Sequence, residues 1–213
     1  DLHRLIRRQR QMCIRDSIET SFALFLRHGI KSITMDYIAS QVGISKRTLY
    51  ELFKDKDQLL LECLTWNRRE IEKMSLEVAQ KVDNALEFLL EVFMIQWKRM
   101  RNVNRNYFTD LKRYHPQVSR MFDDERSYQA ESMKRILEQG QAEGVILQDC
   151  RCDIVGQLLS TKFDILFSLD EICTVEFTFM ETFEMIFKTF IRGIATEKGL
   201  KIIERYFANT DFN

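Results

Sequence analysis

The chain has 213 residues, of which 45% are hydrophobic and 30% charged, a mixture that excludes a disordered or fibrous protein. Lys plus Arg and Asp plus Glu number 32 each, so the chain as a whole carries no excess charge that would select a partner. One proline and seven glycines argue against a many-turned β-sandwich, and no apolar run is long enough for a helix to span a bilayer.

Arg4, Arg7, Arg8 and Arg10 are not followed by an apolar stretch and a cleavage-type site, so no signal peptide is expected. Five cysteines, an odd set in a chain large enough to build a core, fit reduced thiols and a cytoplasmic location. The charge is unevenly spread. Basic side chains exceed acidic ones over residues 1–58 and the reverse holds over 59–213, which predicts a head that meets a polyanion and a body that does not.

The predicted elements are all helices. Ile14, Ile18, Phe22 and Phe25 recur at helical spacing and predict a helix over 10–27, ended by Gly29. Thr34 is placed to cap a second, short helix that Gly43 closes, with Asp36 in its first turn. Ser45 caps a third helix running to about Phe53. Asp55 with Gln58 resembles a capping box launching a long helix over about 56–80. Apolar stripes then predict helices over 83–101 and 104–114. Pro116 suits the first turn of a helix over 116–139, with Gly140 and Gly144 at its exit. Helices over 151–168, 173–192 and 197–208 complete the chain.

Met35 to Leu52 reads as a helix-turn-helix. Ile38 and Val42 lie on one face of its first helix, Ala39 permits close approach, Gly43 allows the turn, and Leu49 and Leu52 anchor the second helix from beneath. With Leu49, Leu52 and Phe53 turned inward, Ser45, Lys46, Arg47, Thr48 and Tyr50 are left outward on that helix. A recognition helix enters a major groove in this way. Arg47 is the best base-reading candidate, because a guanidinium grips two acceptors of guanine, and Ser45 and Lys46 suit either base or phosphate. Thr34, Lys46, Thr48, Tyr50 and Lys56 are placed for phosphates, with Lys54 a weaker phosphate contact.

Residues 14–62 resemble the N-terminal DNA-binding domain of the tetracycline-repressor family of bacterial one-component regulators. The resemblance rests on Phe25 and Gly29, Thr34 with Ile38–Ala39, Gly43–Ile44–Ser45, Thr48–Leu49–Tyr50, and Phe53 followed by Lys56 and Leu59–Leu60. Arg47 departs from the family, which usually has a small residue or proline there, so operator preference does not carry over. The resemblance implies an all-α fold. Residues 1–55 would form the three-helix DNA-binding domain, and 56–213 a larger helical effector-binding and dimerisation domain.

It also implies a homodimer on a palindromic double-stranded DNA operator, acting as a repressor and released by a small apolar or amphipathic effector. One head reads only a few base pairs, so pairing is expected in any case. Leu158 on the 151–168 helix and Phe177, Met180, Phe183, Phe187 and Phe190 on the 173–192 helix are the candidate dimer face. Phe88, Phe93, Trp97, Tyr107, Phe108, Met121, Phe122, Tyr128 and Phe163 are candidate effector contacts, since aromatic and methionine side chains pack adaptably around apolar molecules.

An enzyme has little support. His3, His28 and His115 stand apart, and no HExxH, phosphate-cradling loop or GxSxG elbow occurs. Asp110 and His115 are close enough in sequence to meet near a helix end, without suggesting a chemistry. Cys150 and Cys152 lack the second Cys/His pair that a zinc site needs, so no metal or cofactor is expected. Two other readings remain: an adaptor that retains the helix-turn-helix shape without DNA regulation, and a small-molecule-binding enzyme.

Overall fold

The computed structural model describes residues 2–104, 106–123, 126–160 and 179–210. Among them the regular structure is helical apart from one antiparallel bridge between Ile146 and Ala195. The helices are α1 (Leu2–His28), α2 (Met35–Val42), α3 (Lys46–Leu52), α4 (Lys56–Ala79), α5 (Ala85–Met100), α6 (Asn106–Tyr114), α7 (Pro116–Asp123), α8 (Arg126–Ala142), α9 (Cys152–Ser160), α10 (Phe179–Gly193) and α11 (Glu197–Ala208).

The chain divides into two compact units. The first is made of the described residues within Asp1–Lys73 and Asn102–Met121, the second of those within Met74–Arg101 and Phe122–Asn213.

In the first unit the helix starts and stops follow from local chemistry. Gly29 takes φ +82°, the left-handed shape that a side chain resists, and closes α1. Thr34 accepts the Tyr37 N–H at 3.2 Å, and Ser45 accepts the Thr48 N–H at 3.0 Å, so both N-caps form as expected. At the start of α4 the Gln58 N–H donates to Asp55 at 2.8 Å, while the Gln58 side chain accepts from the Lys54 N–H at 2.7 Å. Phe25, Ile30, Ile38, Leu49, Leu59 and Leu60 are fully buried and form the core.

Helix α1 begins at Leu2 rather than at the expected residue 10. Among its described side chains the first buried one is Ser17, and Arg4, Arg7, Arg8 and Arg10 stand exposed on the turns before it. The basic excess of residues 1–58 therefore sits outside the packed head. From Ser17 to Gln58 the charges nearly balance, Arg27, Lys31, Lys46, Arg47, Lys54 and Lys56 facing Glu19, Asp36, Glu51, Asp55 and Asp57. Summed charge is thus no argument for the partner of the head, and the placement of individual side chains has to carry it.

In the second unit Leu86, Leu90, Leu137, Val145, Ile146, Ile191 and Ile203 build the main core. Helices α8 and α9 pack closely because Gly156 has no side chain; a Cβ there would lie 2.9 Å from the Ala130 carbonyl oxygen. The helix expected over 116–139 is described as α7 and α8, residues 124–125 lying outside the described set. Helix α8 continues to Ala142, so Gly140 lies inside it, where an added Cβ would be 2.6 Å from Ile146 Cδ1. Gly144, with φ +72°, marks the exit instead. The Leu147 N–H then donates to the Ile194 carbonyl at 2.9 Å, and Thr196 N–H to Val145 at 3.1 Å. Of the helix expected over 151–168, residues 152–160 are described; of that over 173–192, residues from 179 onward.

Candidate nucleic-acid interface

Helices α2 and α3 form the predicted helix-turn-helix. Gly43 adopts φ +77° between them, and the Ile44 N–H returns to the Ala39 carbonyl at 3.0 Å, which folds the second helix back over the first. Ile38, Ala39, Leu49 and Phe53 are buried beneath this pair. Only Leu49 of α3 is fully buried within the helix; Leu52 is partly covered. The outer surface of α3 is therefore polar and presented to solvent.

On that surface Arg47 is 90% exposed and bonds only to Glu51, one turn on, at 2.9 Å. Such an exposed pair contributes little stability, so the guanidinium is cheaply released to another acceptor. Lys46 contacts Asp36 of α2 at 2.8 Å, which raises the ammonium above its usual range, and its Nζ lies 6.0 Å from the Tyr50 ring. Tyr50 is 44% exposed. The Ser45 and Thr48 hydroxyls are 2.8 Å apart, and Thr34 stands at the start of α2. Lys54 is exposed after α3. Asp36 reaches this surface from α2 through its contact with Lys46, and Tyr37 beside it is 43% exposed.

Lys56 is placed differently from the other cations. Its Nζ donates to the carbonyls of Ile30 and Ile33, and the ammonium lies 5.8 Å from the Phe25 ring. Partial burial lowers its pKa against the opposing effect of Asp110 and Asp57. In this structure the side chain expected on a phosphate is engaged with the protein's own backbone.

Since Ser45 closes the first turn of α3, Ser45→Ala is expected to cost about 1 kcal/mol of head stability. Thermal unfolding followed by fluorescence of Trp66, which packs edge-on against Phe22 with ring centroids 5.8 Å apart, reads that loss.

The candidate effector residues are spread over both units. Tyr107 and Phe108 lie in the first unit, where Tyr107 packs edge-on against Phe22 and Phe108, and burial pushes its phenol pKa up. Phe88, Phe93 and Trp97 lie in the second. Phe93 stacks on Phe187 at 3.5 Å and on Phe183 at 5.2 Å, so this group is filled by its own chain. Met121 and Phe122 are on α7 and Tyr128 is on α8, but their side chains, like residue Phe163, lie outside the described set.

The candidate dimer residues also divide. Leu158 is 48% exposed, whereas Phe183 is buried, and Met180, Phe187 and Phe190 pack against the core of their own unit. Helical periodicity turns Met185 and Ile186 outward instead, at 65% and 41% exposure, and on α9 Ile154 joins Leu158 at 51%. Phe177 lies outside the described residues.

His115 does not meet Asp110. Its Nδ1 contacts Asp57 at 2.5 Å, while Asp110 accepts the Lys31 N–H at 2.7 Å. The Cys150 thiol is pushed up to about 11, mainly by burial, and Cys152 is also raised. Among the described residues no group of three or more His, Cys, Asp or Glu is placed to hold a metal ion. No helix of the described chain is long and apolar enough to cross a membrane.

The first unit therefore carries a helix-turn-helix head with an outward-facing α3, and a further helical unit accompanies it. Residues 18–63 match the model for bacterial regulatory proteins of the tetR family. An HTH-type transcriptional regulator of Bacillus subtilis, YvaF, is 29% identical over 96 residues, covering 45% of this chain and 50% of its own. The chain spans half or less of the length of the curated relatives it matches.

Two solved structures share the fold over nearly the whole chain. A transcriptional-regulator structure from Saccharomonospora viridis, in complex with choline, has a TM-score of 0.70 at 20% identity, covering 88% of this chain and all of its own. The ketosteroid transcriptional regulator KstR2 of Mycobacterium tuberculosis has a TM-score of 0.58 at 20% identity, covering 86% and 95%. The family match thus covers the helix-turn-helix head, residues 18–63 of this chain.

Proposed function

We propose that the chain is a homodimeric transcriptional repressor that reads a palindromic DNA operator through α3 and is released by a small apolar or amphipathic effector. The observation that carries the reading is the contrast within α3: Leu49 is fully buried while Arg47 is 90% exposed two residues earlier. That geometry supports base reading by Arg47. Ser45 and Lys46 serve base or phosphate, and Thr34, Thr48, Tyr50 and Lys54 serve phosphates.

Pairing through α9 and α10 is supported by the outward Ile154, Leu158, Met185 and Ile186, apolar side chains that a partner would cover. A dimer sets the two heads for half-sites about 34–36 Å apart. The effector is assigned to the second unit, at the aromatic group of Phe93, Trp97, Phe183 and Phe187, which is closed by its own side chains and has to repack to admit an apolar guest. Choline in the Saccharomonospora viridis structure, a small quaternary ammonium cation, suits the amphipathic option, since aromatic faces attract such cations. Such a ligand acts by binding one head spacing better than the other.

Selection of duplexes from a random pool by the purified chain tests the reading, with recovery of an inverted repeat as the expected result. Repeating it with Arg47→Ala should relax one base position per half-site, with discrimination falling about 5- to 150-fold. Recovery of no consensus by the unaltered chain overturns operator reading and favours the adaptor alternative.

A further inference from the structure

The turn joining α1 to α2 bears no base-reading side chain, yet charged groups hold it from two elements. Lys56, the first residue of α4, donates from Nζ to the carbonyls of both Ile30 and Ile33. From α6, the Asp110 carboxylate accepts the Lys31 N–H at 2.7 Å, and Asp110 is only 8% exposed. Gly29 completes the fit: with φ +82°, it has a virtual Cβ that would lie 3.1 Å from Asp110 Oδ2 and 3.2 Å from Asn106 Cβ.

The turn's own hydrogen bond, Ile33 N–H to Ile30 carbonyl, is long at 3.3 Å. The Ser32 hydroxyl also ties the turn, donating to the His28 carbonyl at 2.7 Å, and the two charged side chains add the contacts that reach it from α4 and α6. A lysine serving only as a phosphate contact has no reason to give up hydration in this way, and Lys54, two residues earlier, remains exposed.

We infer that Lys56 and Asp110 are positioning residues: together they lock the Gly29–Ile33 turn and thereby set where α2 and α3 stand, and Lys56 does not bind phosphate. The purpose of this lock rests on the operator-reading role proposed above, but the lock itself is measurable without DNA.

Hydrogen exchange of the full chain, read by mass spectrometry, tests it in Lys56→Met, Asp110→Ala and Asp110→Asn. Loss of the ammonium in Lys56→Met or of the acceptor in Asp110→Ala should speed exchange over residues 29–39 about tenfold, with α5 and α8 unchanged. Asp110→Asn keeps an acceptor for the Lys31 N–H and should stay near the parent rate. On the selected duplex, Lys56→Met should weaken binding while leaving the slope of log affinity against log salt unchanged.

Parent-like exchange together with a slope smaller by about one would make Lys56 a phosphate contact and overturn the inference. Parent-like exchange with parent-like binding would overturn it as well. Should Lys56→Met unfold the head, Lys56→Gln, which retains a donor, is read against the same criteria. A parent chain that selects no duplex defeats the operator reading alone, and the exchange measurement still decides the lock.

Discussion

Leu49→Ala is expected to destabilise the first unit by about 2–5 kcal/mol and to abolish duplex binding as the head unfolds. Leu49 is completely buried and is the one fully covered side chain of α3, so its removal leaves a void that seven residues of helix cannot close. The chain has two tryptophans, and they fall one in each unit. Trp66 lies against Phe22 in the first and Trp97 is 4% exposed in the second. Single-tryptophan versions should show the Trp66 transition moving to lower denaturant in Leu49→Ala. An unmoved Trp66 transition with intact duplex binding would show that α3 is not held from beneath, and operator reading would lose its structural basis.

Phe93→Ala is the complementary experiment, expected to cost the second unit about 3–5 kcal/mol. Phe93 is 3% exposed and lies between the Phe183 and Phe187 rings, with Met94 and Trp97 in the same cluster. Here the Trp97 transition should move, and the space left should change the response to any apolar effector. If Trp97 reported parent-like stability, the aromatic cluster would not be an energetic centre of this unit. Placing the effector among these rings would then have no support.

Most of the head was legible in the sequence because its determinants are local. A threonine or serine before an apolar-periodic run supplies an acceptor for an orphan amide whatever surrounds it, and Thr34 and Ser45 both do so. Gly29 and Gly43 take left-handed backbone that costs other residues energy. The burial of Ile38, Leu49 and Phe53 follows from spacing on short helices.

Elsewhere the local signal was ambiguous. Gly140 looked like a helix exit, yet it lies inside α8 because Ile146 returns against it and leaves no room for a side chain. Phe183 and Phe187 looked like an outward interface, because periodicity marks an apolar stripe without saying whether a chain covers it with α5 or with a partner.

The sequence by itself determined the helical class, the caps and turn of the helix-turn-helix, and which face of α3 carries Arg47. Each of these depends on residues within about one or two helical turns of each other. Only the tertiary structure decided that Lys56 turns to the Ile30 and Ile33 carbonyls, that Asp110 holds Lys31 while His115 contacts Asp57, and that Ile154, Leu158, Met185 and Ile186 are exposed. The physical reason is range. A charged side chain is directed by whichever partner the fold brings within hydrogen-bond reach, and for Lys56 and Asp110 those partners are 23 to 79 residues away in the chain.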